Sequence, residues 1–195
     1  MKVTKEFYNQ LPDFDTYYQH IQELYEDGKT TGANQSEAML NYTKLSLART
    51  KRGLKTFKLK PELVELAKNH RSKNWFLISE AWCGDAGNII PMMKILADEV
   101  GDVTLKVMLR DEHPEIMESY LTNGGKSIPI FVLFDNDFNE VERWGPRPTP
   151  AQNMVMEHKA NPQLSYEEFS VELQKWYVKD RKSTRLNSIT WPSRM

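Results

Sequence analysis

The sequence has little of what several classes of protein require. Cys83 is the only cysteine among 195 residues, so no disulfide can form within the chain. The 26 Lys and Arg residues nearly balance the 27 Asp and Glu residues. This balance argues against a dedicated nucleic-acid or membrane-surface binder, because such proteins draw most of their affinity from excess positive charge. Nine glycines and ten prolines also exclude collagen-like and low-complexity chains.

Long apolar runs are missing as well. Residues 1–6 contain no apolar stretch of the kind found in signal peptides, and no later run reaches the roughly 20 residues that span a bilayer. We therefore expect a cytoplasmic protein in a reducing compartment, with neither a membrane nor a nucleic acid as partner. The hydrophobic fraction of 39% is sufficient for a packed core at this length.

The hydrophobic pattern predicts a helical extension over residues 1–60. Apolar side chains recur at helix spacing from residue 14 to residue 25, with Asp13 as N-cap and Gly28 as terminator. A second helix is expected from about residue 36 to residue 52, stopping at Gly53. Every charged residue from 44 to 60 is basic. This stretch favours a solvated helix face, and a patch that attracts an anionic partner is the alternative.

Residues 61–179 alternate between helix and strand patterns. A buried strand and a strand of alternating pattern are separated by a helix, and a second helix leads to two strands that form a hairpin. This order predicts an α/β fold with a mixed sheet flanked by helices. A last helix should be capped by Ser165, with Glu168 three residues later. The predicted strands are residues 75–79, 103–109, 130–134 and 138–144.

Residues 180–195 lose this pattern. Back-translation of residues 180–188 resembles a common sequencing-adapter oligonucleotide read in frame, and residues 191–195 fit its downstream part. We interpret 180–195 as a non-native tail, with an ordinary polar tail as the alternative, and give it no functional role.

The chemistry is expected at Cys83, which follows a buried strand at the start of a helix. A helix N-terminus carries a partial positive charge and free N–H groups, and both favour a thiolate over a thiol. Glu80 and Asp85 act in the opposite direction, because nearby negative charges repel a thiolate. Two interpretations stay open: Cys83 is either a reactive monothiol, partly exposed to solvent, or a buried structural cysteine.

The segment from Trp82 to Ala86 resembles the Trp-Cys-Gly-Pro-Cys motif of the thioredoxin superfamily, with Gly84 at the family's glycine. Residues Ser127, Ile128 and Pro129 are similar to the family loop that places a cis proline opposite the active site. Trp144 and Gly145 match the place where the last family strand ends near that site. The resemblance covers roughly residues 61–177, and similar bacterial proteins have a helical N-terminal extension.

The sequence departs from the family pattern at three positions, and these departures limit the function that the resemblance implies. Ala86 stands where the family has its second cysteine, Asp85 replaces the motif proline, and Leu77 occupies the place of a buried aspartate. Without a resolving thiol the dithiol cycle cannot run. The resemblance therefore implies either a monothiol thiol-disulfide oxidoreductase, served by an external thiol such as glutathione or bacillithiol, or a non-catalytic module that binds peptides or proteins.

The implied partners are proteins or low-molecular-weight thiols and disulfides. The resemblance places the substrate groove at the Ser127–Pro129 loop, Trp144 and Gly145, with Trp82 beside the thiol. Arg147 should lie at the rim, where it either holds an anionic group, such as a glutathione carboxylate, or forms a structural ion pair.

Other chemistries lack support in the sequence. No Cys-x-x-Cys or His-x-x-x-His spacing occurs, so we predict no metal site and no cofactor. No local signature indicates a Cys–His hydrolase. Residues 123–126 contain a glycine pair and a lysine but lack the spacing of a phosphate-binding loop.

Overall fold

The computed structural model describes residues 2–182, which divide into two compact units between Pro146 and Arg147. The second unit contains α7 (Thr149–Ala160) and α8 (Tyr166–Lys182). The first contains a sheet and its helices: α1 (Lys5–Gln10), α2 (Phe14–Glu26), α3 (Glu37–Thr56), α4 (Pro61–Lys68), β1 (Asn74–Ser79), α5 (Ala86–Val100), β2 (Thr104–Leu109), α6 (Pro114–Met117), the 3₁₀ helix Glu118–Tyr120, β3 (Ile130–Phe134) and β4 (Glu140–Trp144).

The sheet is mixed and has the strand order β2-β1-β3-β4. Strand β1 runs parallel to β2 and antiparallel to β3, and β3 and β4 form the expected hairpin. Four consecutive residues of β1, 75–78, have no exposed surface, as expected for a strand covered on both faces. The predicted thioredoxin-like fold, a mixed sheet flanked by helices, is confirmed.

The N-terminal residues protect the outer edge of β2. The backbone N–H of Val107 donates to Pro12 O over 3.0 Å, and Asp13 forms an antiparallel bridge with Lys106. The Lys106 ammonium group also donates to Leu11 O over 2.7 Å. Unpaired edge groups invite association with other chains, so this segment completes the sheet.

The first predicted helix is confirmed as α2. The Asp13 carboxylate accepts from the N–H of Thr16 over 2.9 Å, and Gly28 follows the helix with a φ of 72°. The prediction that the second helix stops at Gly53 is wrong, because α3 continues to Thr56.

The reason for the glycine at position 53 is packing rather than termination. A Cβ atom on Gly53 would lie 2.7 Å from Cβ of Pro91 in α5, and one on Gly87 would lie 2.8 Å from the carbonyl oxygen of Ser46. Cβ atoms essentially never approach other atoms so closely, so both glycines are needed for α3 and α5 to pack at this distance.

In the second unit the predicted cap of the last helix is confirmed. The N–H of Glu168 donates to Ser165 Oγ over 3.2 Å, and the N–H of Ser165 donates to the Glu168 carboxylate over 2.9 Å. From residue 183 onward the predicted non-native tail lies outside the described residues. The domain boundaries at residues 60 and 179 stay predictions.

Gly53→Ala tests the helix contact. Replacing glycine by alanine inside an open helix adds about 0.5–1 kcal/mol of stability. Here we expect a net loss of about 1–3 kcal/mol, because the methyl group overpacks the contact with Pro91. Urea denaturation measures the change. Lys51→Ala on the exposed face of α3 is the control, with an expected change within about 0.5 kcal/mol. A Gly53→Ala protein as stable as the parent would contradict the packing argument.

Candidate functional site

Cys83 lies in the turn between β1 and α5. Its N–H donates to the carbonyl oxygen of Glu80 over 3.1 Å, and its own carbonyl oxygen accepts from the N–H of Gly87 over 3.3 Å. The second bond has the i to i+4 spacing of an α-helix, so helical hydrogen bonding begins at Cys83 although α5 is assigned from Ala86. The cysteine therefore lies at the N-terminal end of α5, as the sequence pattern predicts.

The loop before β3 faces the cysteine. The Ile128–Pro129 peptide bond is cis. The Cys83 thiol donates a hydrogen bond from Sγ to the carbonyl oxygen of Ile128 over 3.5 Å. This contact brings together two segments that are 45 residues apart in the sequence.

Gly145, directly after β4, is the third predicted element at this place. Its φ is 130°, and a Cβ atom there would collide with the carbonyl oxygen of Pro129 and lie 3.1 Å from Cα of Ile130. Only glycine allows this close approach. The structure therefore brings Cys83, the Ile128–Pro129 loop and Gly145 into one region.

The Cys83 residue is only 6% exposed, so the expectation that its sulfur is partly open to solvent is wrong. The reason is the packing on two sides of the turn. Helix α3 reaches the turn through the Ser46 hydroxyl, which donates to the carbonyl oxygen of Cys83 over 3.2 Å. On the other side, the carbonyl oxygen of Ile128 contacts Sγ.

The half-buried Trp82 side chain connects the turn to the end of β2. The guanidinium carbon of Arg110 lies 4.8 Å from the centre of the Trp82 ring, within the range of a cation–π contact. Arg110 also donates from Nη1 to the carbonyl oxygen of Lys126 over 3.2 Å. Because Lys126 immediately precedes the cis-proline loop, Arg110 links both walls of the site.

Glu80 is a buried carboxylic acid beside the cysteine turn, with an exposed fraction of 1%. Its carboxyl group accepts from the Thr31 hydroxyl, and from the N–H of Asp111 over 2.8 Å. Burial raises the pKa of Glu80, although the hydrogen bonds from Thr31 and Asp111 oppose this rise. Glu80 therefore retains its proton to higher pH than an exposed glutamate.

Thr31 connects the helical extension to this acid. Its hydroxyl oxygen accepts from the N–H of Ala81 over 3.0 Å while donating to the Glu80 carboxyl group. The loop between α2 and α3 is thus fixed at the end of β1, two residues before Cys83.

Arg49 of α3 is the nearby cation that the sequence pattern did not assign to the site. Its side chain is half-buried, and burial lowers its pKa, while the charge of Asp85, and that of Cys83 when its thiol is ionised, oppose this fall. Asp85 itself is buried, with an exposed fraction of 7%. The basic stretch 44–60 is the feature of the sequence that could have indicated a cation at the site, but such a run of like charges favours a solvated helix face.

Tyr17 of α2 also reaches this region. Burial raises the pKa of Tyr17, opposed by the hydrogen bond of its hydroxyl group with the Ser79 side chain. Glu80 and Cys83, in their ionised forms, act in the same direction as burial. The aromatic stripe of α2 predicted burial of Tyr17, but not its position near the thiol.

The remaining predicted site residues have definite positions. The Gly84 carbonyl oxygen accepts from Asn88 Nδ2 over 3.0 Å, and Ala86 is the first residue of α5. Ser127 is half-buried before the cis bond, and Trp144 ends β4. Arg147 begins the second unit, where its Nη1 donates to Gln152 Oε1 over 3.2 Å. The rim role of Arg147 stays a prediction.

Within residues 2–182 no group of three or more His, Cys, Asp or Glu side chains could hold a metal ion. Over the same residues, every helix is too short or too polar to cross a membrane.

The strand order, the cysteine at the start of α5 and the cis-proline loop define a thioredoxin-like protein. A family model described as Thioredoxin matches residues 32–162. The chain therefore belongs to the thioredoxin family, and the match includes Arg49 as well as Cys83.

One curated relative is a thioredoxin from Chlamydia caviae, which is 37% identical to this chain over 62 residues. The aligned segment covers 32% of this chain and 57% of that protein, so this chain spans little more than half of the relative's length.

Two solved structures share the fold. An HIV epitope scaffold is 16% identical with a TM-score of 0.56, and the match covers 94% of this chain and 95% of the scaffold. A protein of unknown function from Pseudomonas aeruginosa is 14% identical with the same TM-score of 0.56, and the match covers 94% of this chain and all (100%) of that protein. At such low identities the likeness concerns the fold alone.

Glu80→Gln tests the buried acid by the pH dependence of stability. An acid with a raised pKa in the folded state holds its proton there after the unfolded chain has released it. Stability contributed by this proton is present at low pH and is lost as pH rises above the ordinary pKa of 4.5.

We therefore expect Glu80→Gln to gain stability over the parent as pH rises from about 4 to 8, by up to about 1.4 kcal/mol per pH unit within the titration interval. Urea unfolding at a series of pH values measures this difference. Glu99→Gln at an exposed position of α5 is the matched control for the same change of side chain. A flat difference for Glu80→Gln would contradict the raised pKa.

Proposed function

We propose that the protein is a monothiol thiol-disulfide oxidoreductase that acts through Cys83 and depends on an external thiol. The observation that carries this proposal is the hydrogen bond of 3.5 Å between Cys83 Sγ and the carbonyl oxygen of Ile128, next to the cis bond. This contact supports the proposal because it joins a thiol at the start of a helix to the loop that resembles the substrate loop of the family.

The proposed reaction has two exchange steps. The Cys83 thiolate attacks one sulfur of a disulfide, a new S–S bond forms, and the other sulfur leaves as a thiolate. A second, external thiolate then attacks the substrate-derived sulfur of this mixed disulfide, and Cys83 leaves as a thiolate. In sum the disulfide is exchanged and the enzyme is regenerated. A reducing cytosol would supply the external thiol.

The need for an external thiol follows from the sequence. Ala86 occupies the family position of the second cysteine, and the whole chain has one cysteine. An internal thiol therefore cannot resolve the mixed disulfide. The low exposure of Cys83, 6%, implies further that the turn must open or that a substrate must approach along the Ile128 backbone.

The same burial favours a second candidate function, a non-catalytic module that binds a peptide. An extended peptide can pair with backbone groups by strand addition, and half-buried Ser127, directly before the buried cis bond, would offer such a backbone. In this case the thiol would pack inside the site without reacting. Reactivity of Cys83 distinguishes the two candidates.

Cys83→Ser tests the proposed chemistry directly. Incubation of the parent with oxidised glutathione should give one mixed-disulfide adduct per chain, detected by intact mass spectrometry, and a dithiol reductant should remove it. Cys83→Ser should give none, because the hydroxyl group cannot form an S–S bond. Its urea midpoint should stay near that of the parent, because the exchange is nearly isosteric and no disulfide is lost.

An unreactive parent would contradict the oxidoreductase proposal and support the binding module. Peptide binding that is equal in the parent and Cys83→Ser would then show that the thiol is not needed.

Ala86→Cys tests whether the turn has the family geometry. Position 86 lies one turn of helix after Cys83, so the variant should form an intramolecular disulfide under oxidising conditions. It should reduce insulin with an added reductant at least about tenfold faster than the parent, because an internal thiol now resolves the adduct. Ala97→Cys, further along α5, is the control and should form no intramolecular bond. Strong insulin reduction by the parent would contradict the monothiol proposal.

A further inference from the structure

Helix α3 presents one face to the start of α5 and to the cysteine turn. Ser46 contacts the carbonyl oxygen of Cys83 and the position of Gly87, while Gly53 contacts Pro91. Residues at i, i+3 and i+7 share a helix face, so Arg49 lies on this same face between Ser46 and Gly53. The contact between α3 and α5 therefore positions the Arg49 guanidinium group in the region of the Cys83 thiol.

Arg49 interacts electrostatically with ionisable groups of the cysteine turn and of its own helix. The carboxylate of Asp85, and the sulfur of Cys83 when it is ionised, act on Arg49 as opposite charges, and Arg49 is only half exposed. Partial burial weakens screening by water, so these interactions are stronger than those between surface charges. Arg52, one turn closer to the C-terminus and exposed, acts on Arg49 as a like charge.

We infer that Arg49 is a positioning residue of the thiol site, whose guanidinium group balances the negative charges of Asp85 and the Cys83 thiolate. The inference rests on the proposed function, because a thiolate is the species that attacks disulfides. It assigns to the helical extension a direct part in the chemistry of Cys83.

Titratable groups lie around the cysteine turn on several elements. Tyr17 on α2 and Arg49 on α3 interact electrostatically with Cys83, and Glu80 and Asp85 flank the turn in the sequence. Arg110, directly after β2, is a second cation of the site and lies over the Trp82 ring. The cis-proline loop adds the uncharged Ile128 carbonyl group. Among these groups, Arg49 is the cation that interacts with both Asp85 and Cys83.

The experiment measures the rate of alkylation of Cys83 by iodoacetamide against pH. Iodoacetamide is uncharged and reacts with the thiolate, so the midpoint of the rate profile reports thiolate formation independently of disulfide exchange. We compare the parent with Arg49→Gln, Arg49→Lys and the control Arg52→Gln, which changes the same charge one turn away.

Loss of the cation should move the midpoint upward by about one pH unit in Arg49→Gln, so that alkylation below the midpoint slows about tenfold. Arg49→Lys should restore most of this shift, because the charge is retained. Arg52→Gln should move the midpoint by less than about 0.3 units, because its side chain is screened by water. Equal shifts in Arg49→Gln and Arg52→Gln would overturn the inference.

Asp85→Asn provides a second arm that leaves Arg49 in place. Removal of the negative charge should lower the midpoint, and the double variant Arg49→Gln, Asp85→Asn should lie near the parent. A midpoint that rises or stays fixed in Asp85→Asn would overturn the inference even if Arg49→Gln failed to fold.

The outcomes for the two proposals differ. A parent whose Cys83 reacts with iodoacetamide but forms no mixed disulfide with oxidised glutathione would remove the proposed oxidoreductase function, while the midpoint shifts would still decide the role of Arg49. A parent that reacts with neither reagent would overturn both.

Discussion

The close contact between α3 and α5 determines how the site is built. Two glycines, Gly53 and Gly87, let the backbones approach to a distance at which a Cβ atom would collide with Pro91 or with the Ser46 backbone. A rigid contact of this kind fixes the position and rotation of α3, because packed interiors deform little. The Ser46 hydroxyl and the Arg49 guanidinium group are carried to the cysteine turn by the same helix, so the extension is part of the site.

The buried acid Glu80 connects this turn to the rest of the molecule. A buried polar group is costly unless its hydrogen bonds are made, and Glu80 takes one from the extension through Thr31 and one from the N–H of Asp111 beyond β2. The backbone carbonyl oxygen of Glu80 also accepts from the N–H of Cys83. A movement of the Thr31 loop or of the Asp111 backbone would therefore shift the position of Cys83. Hydrogen bonds and helix packing thus hold the cysteine turn from different sides.

Local patterns in the sequence are sufficient to predict the order of elements from α2 onward, but they do not predict the short helix α1. The bounds of β3 and the Asp13 cap of α2 follow from apolar runs and capping residues, which act over short distances. The roles of Gly53 and Arg49 could not be found in this way, because a periodic pattern identifies a buried face without saying what lies opposite. The exposure of Cys83 depends equally on segments that are distant in the sequence, namely α3 and the Ile128 loop.

A site with one thiol depends more on its surroundings than a site with two. In the proposed reaction no internal thiol removes a bound substrate, so both exchange steps would use sulfur atoms brought from outside, and access to the Cys83 region would limit each of them. The negative neighbours Glu80 and Asp85 would disfavour the thiolate that both steps require. Burial keeps Glu80 protonated to higher pH, which weakens one of these repulsions, and Arg49 opposes the other. Under the proposed function, thiol chemistry at Cys83 would therefore depend on the helical extension, because α3 carries Arg49.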